Sequence, residues 1–216
     1  MKKKIEAPKL SAEHSLSADM SRELTEAAVR GDDVELRRFS SDLLDGAELE
    51  EIEFNDCIFE NCRFLECRLT KVFFVDVVFH QCDLSNIKLE NCSFQRCLLR
   101  ECKLIGADFS DSVLNNTRFS NGSGKYQSIF KSRLKAVEFE DMDLSNGSMQ
   151  EDKLSECYFT GCKLIGMDFL HTPLKGIDLT SSDISGIVVS GPELRGAEVN
   201  PAQACELAKL LGVIVK

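Results

Sequence analysis

The sequence of 216 residues has no tryptophan, two tyrosines, three histidines and four prolines. It has no apolar run approaching the roughly 20 residues that a bilayer-spanning helix needs. The opening stretch, MKKKIEAPKLSAEHSLS, carries three lysines with no apolar segment behind them. It does not read as a secretory signal, so a cytoplasmic chain with reduced cysteines is the expectation. Basic residues are in deficit, with 26 Lys and Arg against 36 Asp and Glu and a net charge of −10. That balance disfavours direct binding to a nucleic-acid phosphate backbone and suits a basic partner. There is no glycine-rich phosphate loop and no zinc-ligand spacing. His14, His80 and His171 lie far apart, with no obvious nucleophile or carboxylate pair beside them. Neither catalysis nor a cofactor or metal is expected.

What the chain does have is a period of five. Every fifth residue from Leu44 to Val199 is apolar at 31 of 32 positions, Gly124 being the exception. Twelve of the fourteen phenylalanines fall on this frame or on its extension to Phe39. An α-helix would turn such a residue by about 140° per repeat and form no face, and a strand alternates every two. A chain that turns a corner every five residues puts each central residue inward. Four such sides close a square coil, and coils stack into a solenoid. The position two before each central residue is also inward and should be small. Nine of the ten cysteines stand there, Cys205 being the exception, and Gly and Asn collect at the corners.

Segments such as CKLIGADFSDSVLNNTRF and CKLIGMDFLHTPLKGIDL resemble the A(D/N)LXX motif of the pentapeptide-repeat family. The resemblance implies a right-handed quadrilateral β-helix, an all-β solenoid. Thirty-two repeats at four per coil give about eight coils, a rod roughly 38 Å long at about 4.8 Å per coil. The expected division is a tail and capping helix over 1–38, the β-helix over 39–199 and a C-terminal helix with a short strand over 200–216.

Cys57, Cys62 and Cys67 fall on successive sides of one coil, while Cys62, Cys82 and Cys102 stack in one column. Neither arrangement converges three thiolates on a metal, and buried cysteine serves as a small hydrophobe. A helix is expected from about Ala18 to Arg30, with Ser17 as N-cap, Gly31 as stop and Met20, Leu24, Ala27 and Ala28 on one face. At the other end Asn200 caps a helix that starts at Pro201 and stops at Gly212. Its expected stripe is Ala204, Leu207, Ala208 and Leu211, followed by a strand over Val213–Val215. This tail is similar to that of the Qnr and MfpA quinolone-resistance branch, through Gln203-Ala204, Leu207, Leu211-Gly212-Val213 and Val215. The resemblance implies a homodimer through Ala204, Leu207, Leu211, Val213 and Val215.

The frame weakens at Gly124 and Gln127, and again at Gly147 and Asp152. Local distortion of the coil is expected at 120–132, an extruded loop being the alternative. Carboxylates crowd the first coils at Asp42, Asp45, Glu48, Glu50, Glu51, Glu53, Asp56 and Glu60, with a second group including Glu138, Glu140 and Asp141. They are either a solvated surface or a mimic of DNA phosphates. Ile58, Val78 and Leu98 form an outward apolar column, with Phe73 and Val75 nearby, which residues 1–16 or a partner would cover. Two functional readings follow. One, implied by the Qnr-like tail, is a DNA mimic binding gyrase or topoisomerase IV. The other is a general protein-interaction scaffold.

Overall fold

The computed structural model describes residues 4–210 and 212–215. Its chain winds as stacked coils of twenty residues. Parallel registers pair Glu53 with Phe73, Phe73 with Ser93, Ser93 with Val113, Val113 with Arg133 and Arg133 with Lys153. From Leu36 to Gly196 every fifth residue except Ser181 turns a corner with positive φ, between 50° and 62° at 24 non-glycine residues such as Asn61, Asn91 and Ala136. A left-handed conformation costs an L-residue about 1–2 kcal/mol. Corner amides offset it by bonding the next coil, as Asn61 N does to His80 O at 2.9 Å.

The central residues fill the axis. Phe39, Phe59 and Phe79 stack at 4.8 Å spacings, and Phe119, Phe139 and Phe159 at 4.9 and 5.1 Å. Between Phe54 and Leu99 the axis holds a void of only about 10 Å³, too small there for a ligand.

The solenoid has about seven turns, fewer than the eight expected. Its main ladder is seven strands deep, from Arg37–Ser40 to Lys153–Thr160. In the preceding coils Arg133 N bonds Ser112 O and Lys153 N bonds Ser132 O. The equivalent residue of the next coil is Pro173, which has no N–H to donate. Among the described residues Lys153–Thr160 pairs with no strand at 173–180, and beyond it only isolated bridges continue, such as Lys163 with Asp183 and Asp178 with Glu198. The hydroxyl links seen in earlier coils continue beside the break, Thr172 Oγ1 accepting from Asp152 N at 2.9 Å and Ser182 Oγ from Cys162 N at 3.1 Å.

Residues 120–132 are neither looped nor distorted. Ser123 bridges Lys103 and Asp143, and Ser128–Phe130 pairs with Ser148–Gln150 in register. The frame holds because the two irregular residues compensate. A Cβ on Gly124 would lie 2.2 Å from Gln127 Oε1, so the Gln127 side chain occupies the axial space that Gly124 leaves. Gln127 is 1% exposed, and its side-chain amide has no hydrogen-bond partner among the described residues.

The inward cysteines are all buried and unbridged. Many link successive coils, Sγ of Cys57, Cys97 and Cys162 lying 3.2–3.3 Å from carbonyls 23 residues earlier. Ser112 and Ser132 make the same link at 2.9 Å. Burial pushes the Cys57, Cys92 and Cys97 thiols up to about 12, which keeps them protonated and unreactive at neutral pH. Thiol titration with Ellman's reagent should therefore count one group, Cys205, in native buffer and ten in guanidinium. Rapid reaction of several native thiols would contradict this packing.

The N-terminal helix, α1, spans Met20–Arg30 and stops at left-handed Gly31. Its N-cap is Asp19, not Ser17: Asp19 accepts from Arg22 N at 2.9 Å, while Ser17 N bonds Arg38 O beside the first coil. Met20 and Leu24 are fully buried, with Ala27 and Ala28 packed beside them. Asp42 on the first coil accepts from Met20 N at 2.7 Å and fastens the helix start to the rod.

Helix α2 spans Pro201–Leu210. Asn200 and Gln203 cap its start reciprocally, at 3.0 and 2.8 Å. The expected stripe is only partly right. Leu207 and Ala208 are half-buried and Ala204 is exposed, while Gln203 is buried and donates to Leu179 O and Ser182 O, both at 2.8 Å. Leu211 lies outside the described residues. Val213–Val215 is not a strand and pairs with no strand among the described residues. Among the described residues no helix is long and apolar enough to cross a membrane.

Candidate functional surfaces

The acidic residues of the first coils form a girdle around the rod. Asp45 stands on one side, Glu48 and Glu50 on the next with Glu51 at its corner, and Glu53, Asp56 and Glu60 along the main ladder. Several are neutralised. Lys71 pairs with Glu50 and Glu51 at 3.1 and 2.9 Å, and Arg38 holds Glu60 at 2.7 Å. The Glu60 carboxyl accordingly lies below the usual range, chiefly through the Arg38 hydrogen bond. Asp45, Glu48 and Glu53 have no ion-pair partner among the described residues. Asp45 and Glu48 border an open groove of about 480 Å³ against α1. In the second group Glu138 pairs with Arg118 at 2.8 Å, while Glu140 is half-buried and Asp141 sits exposed at a corner.

The apolar column is not open. Ile58, Val78 and Leu98 are half-buried, as is Val75, and Phe73 is 47% exposed. Residues 4–17 run along the corner beside this column. Glu6 N donates to Asn116 Oδ1 at 3.1 Å, Lys9 N to Asp76 Oδ1 at 2.8 Å and Ser11 N to both oxygens of Asp56 at 3.1 and 3.0 Å. His14 Nε2 lies 2.8 Å from Asp56 Oδ1. Ser15 N and Ser17 N then bond Leu36 O and Arg38 O, both at 2.9 Å. Ile5 is 7% exposed and lines a small cavity with Pro8, Leu98 and Arg118.

Arg96 stands in the same corner column and grips Asp76 with two bonds of 2.7 and 2.6 Å. Burial alone would raise the Asp56 and Asp76 carboxyls. The contacts from Ser11 and His14, and from Arg96 and Lys9, outweigh it and hold both below the usual range. The stabilisation from these carboxylates is therefore present above their ordinary value and lost as pH falls below it.

Sequence reading did not find this tail contact in residue detail. The signal available was the run Asp56, Asp76, Arg96 and Asn116, polar corners twenty apart beside apolar outward residues. At the C-terminus Val213, Ile214 and Val215 are exposed, Ile214 by 84%. Of the expected dimer residues, Ala204, Val213 and Val215 lie at the surface and Leu207 packs partly against the last coil.

A family model described as a pentapeptide repeat region matches residues 52–129 and 72–149. No curated protein matches the chain. Among solved structures it is similar to a trypsin-treated QnrB1, described as a plasmid-mediated fluoroquinolone resistance protein. That match has 22% identity over 96% of this chain and 98% of the other, with a TM-score of 0.49. A second trypsin-treated QnrB1 structure gives 23% identity over 86% and 91%, with a TM-score of 0.40. HetL, a pentapeptide repeat protein involved in heterocyst differentiation regulation from a Nostoc cyanobacterium, gives 14% identity over 84% and 95%, with a TM-score of 0.35.

Proposed function

The chain is a pentapeptide-repeat protein over its matched residues, 52–149, and from that premise we propose a non-enzymatic rod that binds a basic protein surface through its first coils. The observation that carries this reading is the set Asp45, Glu48 and Glu53, carboxylates on a rigid rod that form no ion pair among the described residues, Arg68 in register with Glu48 being turned to Glu90 instead. The filled axis supports it too, since binding is left to the outside. The partner in this proposal is a type II topoisomerase, gyrase or topoisomerase IV, whose DNA channel would receive the rod in place of a duplex. That choice rests on the similarity of the C-terminal tail described above. A second copy would join through the exposed Val213, Ile214 and Val215, giving a homodimer.

One observation favours the broader alternative, an interaction scaffold with another partner. Glu50, Glu51, Asp56 and Glu60 are already engaged within the chain, and the girdle encircles the coil instead of following one side. Ionic strength separates the two. Docking of exposed carboxylates in a basic channel is screened as the Debye length shrinks from about 10 Å at 0.1 M towards 3 Å at 1 M salt. Surface plasmon resonance against purified gyrase and topoisomerase IV should show affinity falling steeply with salt. Glu48→Lys combined with Glu53→Lys should weaken it further, by about tenfold or more, since each removes one attraction and adds a repulsion. Salt-insensitive binding unaffected by the two reversals would sink the acidic-docking reading.

A further inference from the structure

We infer that the corner column under residues 4–17 is a peptide-recognition groove, which the N-terminal tail fills in cis and which a partner's extended segment can enter by displacing it. The argument starts from which tail atoms are recognised. Asn116, Asp76 and Asp56 receive the backbone N–H groups of Glu6, Lys9 and Ser11. Backbone donors belong to every residue except proline, so this recognition tolerates many sequences and requires an extended chain. The acceptors are also preorganised. They sit at corners of successive coils, and Arg96 fixes the Asp76 carboxylate through two bonds.

Side chains add selection, most clearly at two points. Ile5 is buried beside Leu98, and His14 meets Asp56. The fit at the first point is loose. A cavity of about 60 Å³ remains between Ile5, Pro8, Leu98 and Arg118, so a segment with a bulkier apolar residue there would fill the groove better than the tail does. The entering partner is therefore an extended, non-proline-rich segment with an apolar anchor. Attachment in cis gives the tail an effective concentration in the millimolar range, which sets the threshold a competitor must exceed.

The test uses the full chain and a fluorescein-labelled synthetic peptide of residues 4–17. Ile5→Glu in the protein should loosen the cis tail, seen as faster hydrogen exchange at the Lys9 and Ser11 amides. Fluorescence anisotropy should then show the peptide binding this variant at least tenfold more tightly than wild type. Peptide N-methylated at Lys9, which lacks the donor to Asp76, should bind about tenfold more weakly, the loss expected for one hydrogen bond to a charged group. A Lys9→Ala peptide should bind like the parent. Asn116→Ala added to the Ile5→Glu protein should weaken binding several-fold without disturbing the Asp76–Arg96 pair. The inference is overturned if the Lys9 and Ser11 amides exchange no faster, or if the parent peptide fails to bind the loosened chain. Equal weakening by N-methylation and by Lys9→Ala would overturn it as well, because recognition would then run through side chains.

Discussion

Asp152→Ser is expected to raise the unfolding free energy by about 3–4 kcal/mol at pH 8 and by far less at pH 4, since each pKa unit is worth about 1.4 kcal/mol. Asp152 occupies the inward position two before Leu154 and is 2% exposed. One carboxylate oxygen accepts from Ser132 N at 2.7 Å, and the other has no partner among the described residues. Burial pushes the carboxyl up to about 7 from its usual 3.8. Because the folded value is raised, its stabilising contribution is complete below the unfolded value and is lost as pH rises through 7. The chain should therefore become less stable between pH 4 and 7 on account of this residue. Serine already serves the column at Ser112 and Ser132, each hydroxyl accepting from an amide and donating to a carbonyl of the coil before. Urea unfolding of wild type and Asp152→Ser at pH 4, 6 and 8 measures this. Parallel pH profiles would show that the carboxyl ionises at no cost and that the account of its burial is wrong.

The pair Gly124→Leu and Gln127→Ala should show the largest departure from additivity in the molecule. Leucine at 124 would continue Leu104 and Leu144, which stand twenty residues either side, and alanine at 127 would continue Ala107. Alone, Gly124→Leu drives a side chain into Gln127, whose Oε1 would lie 2.2 Å from the new Cβ. Overpacking of that kind costs about 1–3 kcal/mol. With Gln127 shortened, the leucine fills the axis and contributes about 1.5–3 kcal/mol of burial. Loss of the unsatisfied amide adds about 1–3 kcal/mol. The double variant should thus be more stable than wild type although one of its components is less stable. Denaturant midpoints for the four members of the cycle decide it, and additive effects would mean that the two side chains do not share the axis.

These two sites also mark how far the sequence could be read. The five-residue frame was legible because every repeat reports on it independently, and a single Gly124 among 32 central positions cannot hide it. Distortion at Gly124 was the wrong inference for a physical reason. Residues three apart lie on adjacent sides of one coil and share the axis, so Gln127 can replace a missing neighbour without any change of backbone. The stop of the ladder at Pro173 was readable in principle, because proline removes a donor used in each coil before it. The α1 cap went to Asp19 because Ser17 is drawn into pairing with Arg38, a contact no local pattern reveals. Gln203 resembled an exposed helical residue until the two carbonyls it closes, Leu179 and Ser182, were in view. The tail has no periodicity of its own, and its place is written in the corners it meets.

The claim that matters most is that this rod acts by occupying a basic channel built for DNA. Gyrase supercoiling of relaxed plasmid, with purified protein titrated in and a fluoroquinolone present or absent, tests it most directly. The account predicts inhibition, or protection from the drug, at micromolar protein or below, weakened by Glu48→Lys with Glu53→Lys. Unchanged supercoiling and unchanged drug sensitivity, with gyrase and with topoisomerase IV in the matching decatenation assay, would contradict it.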